Sequence, residues 1–137
     1  MKSPVCALLL LTFISSTMAH GMMVGGFTKA KDPTDDVVEL AKLMRPSVEK
    51  TLCVKKEFCV FDHYHVLSYM SQVVAGTNYI IKIDIGQKEP IAIKVFVPLP
   101  YTEKPPELEK VVQMEPNERF GFKLFEKKKH PKRVDLY

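Results

Sequence analysis

Gln72-Val73-Val74-Ala75-Gly76 runs directly into Thr77-Asn78-Tyr79-Ile80-Ile81-Lys82-Ile83-Asp84-Ile85, and the reading of this stretch decides the fold. Thr77, Tyr79, Ile81, Ile83 and Ile85 share one face of an extended chain, with Asn78, Lys82 and Asp84 on the other. That alternation is the period of a half-buried β-strand. Upstream, Phe58, Val60, Val66, Leu67 and Tyr69 favour strand and have no helical phase, so a strand is expected from about Glu57 up to Gln72-Val73. Val74-Ala75-Gly76 lies between the two strands. Gly76 can take the positive φ that a tight reversal requires, which predicts a hairpin with a small, apolar, exposed tip.

Further along, Gly86-Gln87-Lys88-Glu89-Pro90 turns the chain again, and Ile91, Ile93, Val95 and Val97 then alternate with Ala92, Lys94 and Phe96. Pro98-Leu99-Pro100 ends that strand, because proline cannot donate to a β-ladder. A loop rich in Pro and Glu leads to a last strand around Leu108 to Met114. Before the hairpin, Asp32-Pro33-Thr34 offers a helix cap, and Asp35 and Asp36 suit the positive end of a helix dipole. Val37, Leu40, Ala41, Met44 and Val48 follow at helical spacing and form one apolar stripe, with Leu52 continuing it. Pro46 interrupts the stripe and predicts a kink rather than an end. One helix followed by consecutive strands with short turns is an α+β pattern. It predicts an N-terminal α-helix packed against a four- to five-stranded antiparallel β-sheet, over residues 32–122.

The two ends differ from this body. Lys2, the apolar run Val5 to Ile14 and the small-residue ending Thr17-Met18-Ala19 have the form of a secretory signal, with cleavage expected near Ala19-His20. The run is too short to span a bilayer, and no second hydrophobic segment follows, so residues 1–19 are expected to be removed and the rest to carry no membrane anchor. Residues 20–31 read as a flexible arm, in which Gly21, Gly25 and Gly26 prevent regular structure while Met22, Met23, Val24 and Phe27 need a surface to bury against. At the other end, residues 123–137 read as a basic tail. Lys123, Lys127, Lys128, Lys129, Lys132 and Arg133 face only Glu126 and Asp135, so the chain's net charge of +4 is concentrated there. Such a tail is either a solvated end or a contact for a polyanion. With Cys6 in the signal, Cys53 and Cys59 remain as a candidate disulfide in an exported chain, the alternative being two free thiols.

These residues resemble the cystatin family, and within it the stefins. Met22-Met23-Val24-Gly25 is similar to the stefin N-terminus, Gln72 to Tyr79 to the central hairpin, and Leu99-Pro100 to the second loop. The resemblance covers roughly Met22 to Phe122 and implies a cystatin-like fold and reversible, tight-binding inhibition of papain-like cysteine proteases of the cathepsin type. It implies three contacts with the protease cleft: Met23, Val24 and Gly25; Gln72, Val73, Val74, Ala75 and Gly76; and Leu99, Pro100 and Tyr101. A preformed, nearly apolar tip suits that role independently, because little entropy is lost when it docks in a groove. Proline stiffens the second loop, and Tyr101 offers a large amphipathic contact. Stefins typically lack a signal and disulfides, so the chain looks like an exported stefin. Neither branch of the family places cysteines as Cys53 and Cys59 are placed, and Tyr101 stands where stefins usually have Gly or His. Nothing after the helix matches the legumain-binding segment of some secreted cystatins.

Other chemistry finds less support. His63 and His65 could supply two metal ligands, but no third ligand stands at a convincing spacing, so no metal site and no cofactor are expected. No nucleophile motif surrounds Ser68, Ser71 or Cys59, and no glycine-rich phosphate loop is present. The chain is thus expected not to be an enzyme and not to bind nucleic acid specifically. A secreted host-defence or polyanion-binding protein acting through the basic tail is the second functional class, since cathelicidin precursors also place a basic peptide after a cystatin-like domain. A monomer is expected, with a domain-swapped dimer open to it through the Gln72–Gly76 turn.

Overall fold

The structure is a computed structural model that describes residues 25–53 and 60–127. The signal-like segment, Met23, Val24, Cys59 and the tail from Lys128 onward lie outside the described residues. Helix α1 (Asp35–Leu52) is followed by β1 (His65–Val74), β2 (Gly76–Asp84), β3 (Ile91–Pro98), a 3-10 turn (Pro100–Thr102), β4 (Glu107–Gln113) and a short helix α2 (Lys123–Lys127). The strands form one antiparallel sheet in the order β1-β2-β3-β4. This is the expected cystatin-like α+β architecture, with four strands.

Helix α1 buries Val37, Ala41, Met44, Val48 and Leu52, the stripe read from the sequence. It lies on the sheet face formed by Ile81, Ile83, Ile91, Ile93, Val95 and Val111. Thr34 is the N-cap residue but makes no side-chain capping bond, so Asp35 and Asp36 alone favour the positive end of the helix. The helix continues through Pro46 to Leu52. Pro46 is exposed, and having no amide hydrogen it leaves the Lys42 carbonyl without its helical partner.

A polar network joins the end of α1 to the chain entering the sheet. The Glu49 carboxylate accepts from the Phe61 amide at 3.0 Å and from Arg45 Nε at 2.8 Å. Arg45 Nη2 also donates to the Phe61 carbonyl. The Arg45 guanidinium lies 5.2 Å from the centre of the Tyr64 ring, and the Tyr64 hydroxyl donates to the Ala41 carbonyl at 3.0 Å. Cys53, whose amide caps α1 on the Glu49 carbonyl, is disulfide-bonded.

Several expectations need correcting. Strand β1 begins at His65, and Phe61 to Tyr64 belong to the link just described. His63 therefore precedes the strand. Its Nε2 lies 3.2 Å from Asp84 Oδ2, and among the described residues no group of His, Cys, Asp or Glu is arranged to hold a metal ion. Residues 27–31 do not swing free as part of an arm. The Thr28 amide donates to the Ser71 carbonyl at 2.8 Å, Lys31 bridges to Tyr69, and Phe27 packs on the sheet. The basic tail likewise starts later than Lys123, because Leu124 and Phe125 of α2 are buried.

Those last two corrections share a cause. The sheet face away from α1 carries its own core of Ile80, Ala92, Val112, Met114, Leu124 and Phe125, with Phe27, Met70 and Phe120 packed against it. Ile80 and Ala92 are fully buried there. An apolar face of this kind must be covered, and both ends of the described chain return to cover it.

Candidate functional site

The tip of the β1–β2 hairpin is built for reach and rigidity. Val74 pairs with Gly76 across a single apex residue, Ala75. Val73 is 77% exposed and Val74 43%, high values for valines in a paired strand. Gly76 is buried, with φ of +134°, and a Cβ there would lie 2.5 Å from the Val97 carbonyl oxygen and 2.7 Å from the Phe96 ring. Both the backbone conformation and the close neighbour therefore demand glycine. The residues of the motif divide the work, with Val73, Val74 and Ala75 presenting an apolar surface while Gly76 lets β3 come up beside it.

Gln72 acts differently again. Its amide donates to the Gly25 carbonyl, and its Oε1 accepts from Asn78 Nδ2 at 3.1 Å. The side chain thus ties the start of the described chain to the hairpin. Gly25 has φ of +105° with nothing within 4 Å of its Cβ position, so the arm leaves through an open, glycine-only conformation. Met23 and Val24, expected to enter the protease subsites, lie outside the described residues.

Pairing of Gly76 with Pro98 carries the end of β3 to the same edge. Leu99 opens the 3-10 turn, whose Thr102 amide donates back to the Leu99 carbonyl at 2.9 Å. Pro100 is exposed and Tyr101 is 81% exposed. Ala75, Pro98 and Thr102 line one recess of about 480 Å³ between the two loops, together with Phe96 and Lys104 to Glu107. Gly25, the hairpin tip and the second loop therefore stand side by side along one edge.

Sequence reading missed Asn78, Phe96 and Val97, which shape this edge without facing out of it. Asn78 is adjacent to the motif, but its link to Gln72 is a cross-strand contact that linear spacing does not display. Phe96 and Val97 act on Gly76 only through strand register.

A rigid apolar edge of three adjoining segments on a scaffold of one main helix and four strands defines a cystatin-type inhibitor. The family described as the cystatin domain matches residues 25–117, so the chain belongs to the cystatin family and is a cysteine protease inhibitor. Members of this family are inhibitors rather than enzymes. The chain is 39% identical to Cystatin-A1 of Sus scrofa over 87 residues, covering 64% of this chain and 80% of that protein. It is 40% identical to Cystatin-A of Bos taurus over 79 residues, covering 58% and 76%. Against Cystatin-B of Mus musculus the identity is 34% over 84 residues, covering 61% and 81%.

Proposed function

We propose that this chain is an exported, reversible, tight-binding inhibitor of papain-like cysteine proteases of the cathepsin type. The observation that carries this reading is the shared edge of Gly25, Val73 to Gly76 and Leu99 to Tyr101. One relative, from Sus scrofa, is named Leukocyte cysteine proteinase inhibitor 1 and is 36% identical over 84 residues. A papain-like cleft is a groove for an extended substrate, with its nucleophile at the base. The hairpin tip enters over the nucleophile, offering small side chains and no scissile bond in register. Tyr101 and Pro100 cover one side of the groove, and Met23 and Val24 take the substrate subsites on the other. Most of the affinity comes from these few apolar anchors.

Export follows from the signal-like residues 1–19, with cleavage near Ala19-His20. An oxidising destination is consistent with Cys53 being disulfide-bonded, and we assign Cys59 as its partner. Closing that short loop contributes on the order of 2 kcal/mol. The inhibitor acts as a monomer.

The direct test is titration of papain and of a cathepsin with the secreted chain. Reversible, competitive inhibition at one inhibitor per enzyme is expected. Full protease activity at micromolar inhibitor contradicts the proposal.

A further inference from the structure

Residues 118–127 lie beyond the stretch that matches the cystatin domain, yet they are built into the fold. Leu124 and Phe125 sit in the outer-face core, and Lys110 Nζ donates to the Phe125 carbonyl at 2.8 Å. Lys110 is directly opposite Lys94 in the sheet, an unfavourable pairing of like charges. Lys94 answers it with Glu109 at 2.6 Å, and Lys110 turns to the C-terminal segment.

The same segment reaches the root of the arm. Phe122 stacks on Phe27, with ring centres 5.5 Å apart and planes inclined by 25°. Phe122 remains 43% exposed. Two residues before Phe27, the Gly25 carbonyl is held by Gln72, and one residue after it the Thr28 amide is held by Ser71. The Thr28 hydroxyl also accepts from the Ser71 amide at 3.1 Å. Bonds to Gln72 and Ser71 thus hold the root on the hairpin side, and the Phe27–Phe122 stack holds its side chain against the sheet.

We propose that Phe122, carried by the C-terminal segment, is a positioning residue for the inhibitory arm: by fixing Phe27 it sets the point from which the arm departs beside the hairpin tip. This rests on the inhibitory reading above. Fixing that point before docking removes part of the ordering cost of binding. An aromatic pair of this geometry accounts for an effect of about three- to tenfold in affinity.

The test compares Phe122→Ala with the parent, using the full chain and papain as the probe, in two backgrounds: the natural arm, and an arm carrying Met23→Gly and Val24→Gly. The expected result is an inhibition constant raised about three- to tenfold with the natural arm and unchanged with the glycine arm, with Phe122→Tyr restoring the parent value. Without protease, the Thr28 amide is expected to exchange with solvent at least about threefold faster in Phe122→Ala. Equal losses in both backgrounds, or no loss with the natural arm, overturn the proposal. A parent chain that fails to inhibit papain refutes the inhibitory reading itself. Thr28 exchange then decides the anchoring separately, and an unchanged rate overturns it. If Phe122→Ala does not fold, Phe122→Leu keeps the apolar bulk, loses the ring pairing, and is read in the same way.

Discussion

Two glycines at the proposed binding edge make opposite demands. Gly76 is enclosed, and a methyl group there must push aside the Val97 carbonyl as well as hold a strained φ. Gly76→Ala is expected to cost about 2–3 kcal/mol in denaturant unfolding, and to weaken inhibition because the second loop is displaced from the tip. Gly25 has open space around it, so a side chain there meets the strained φ but no neighbour. Gly25→Trp is therefore expected to lower the melting temperature less than Gly76→Ala does while raising the inhibition constant about tenfold or more, through a clash with the enzyme. A melting temperature lowered as far as that of Gly76→Ala would show Gly25 to be a folding residue instead. Residue types alone disclosed that Gly76 needs positive φ. They could not disclose the nearness of Phe96, which depends on the register of β3.

Among the elements, α1 is tied to the sheet by more than its apolar stripe. Tyr64 is half-buried, and burial pushes its phenol well above the ordinary value near 10, only partly countered by the positive Arg45. A raised pKa in the folded state means that folding favours the neutral phenol. The contribution is complete below about pH 10, where the unfolded chain's tyrosine is also neutral. It is lost as pH rises above that, because only the unfolded form gains by ionising. Tyr64→Phe is expected to cost about 1 kcal/mol at neutral pH through the lost bond to the Ala41 carbonyl. It should also flatten the fall in stability above pH 10 relative to the parent, as read by urea unfolding across pH 8–11. Parallel alkaline curves would assign the fall to other groups. The helix stripe from Val37 to Leu52 and the alternation of β2 and β3 were legible because each faces one continuous core. The link from Phe61 to Tyr64 was not. Its aromatic Phe61 and Tyr64 look like strand, and the bonds to Arg45, Glu49 and Ala41, with Phe61 buried in the core, hold it as a brace.

At the scale of the molecule, the sheet is buried on both faces, and this was the main surprise relative to its sequence. Ile80 alternates onto the same strand face as Asn78 and Lys82, and Ala92 onto that of Lys94, which suggested a half-buried sheet, while Leu124 and Phe125 were hidden in a run of lysines. The pattern of one strand does not reveal a lid supplied from far along the chain. Leu124→Ala is expected to destabilise the protein by about 2–4 kcal/mol, whereas Lys123→Ala on the exposed side should change stability by less than about 0.5 kcal/mol. Equal small effects would mean that the outer lid contributes nothing to folding. The segments that adjoin at this edge were legible as short motifs, because each is a run of consecutive residues at a loop or chain end. What joins those motifs, from Gln72 on Gly25 to Phe122 on Phe27, came only with the fold. Everything proposed for this edge depends on exposed apolar side chains at the hairpin tip plugging a protease cleft. The decisive experiment titrates papain with the parent chain and with Val74→Asp, whose charge sits on an exposed residue and should leave the fold intact. Reversible inhibition with a constant below about 1 μM is expected for the parent, weakened about a hundredfold or more by Val74→Asp at unchanged melting temperature. Equal inhibition by the two chains, or none by either, would refute the cleft-plugging role of the tip.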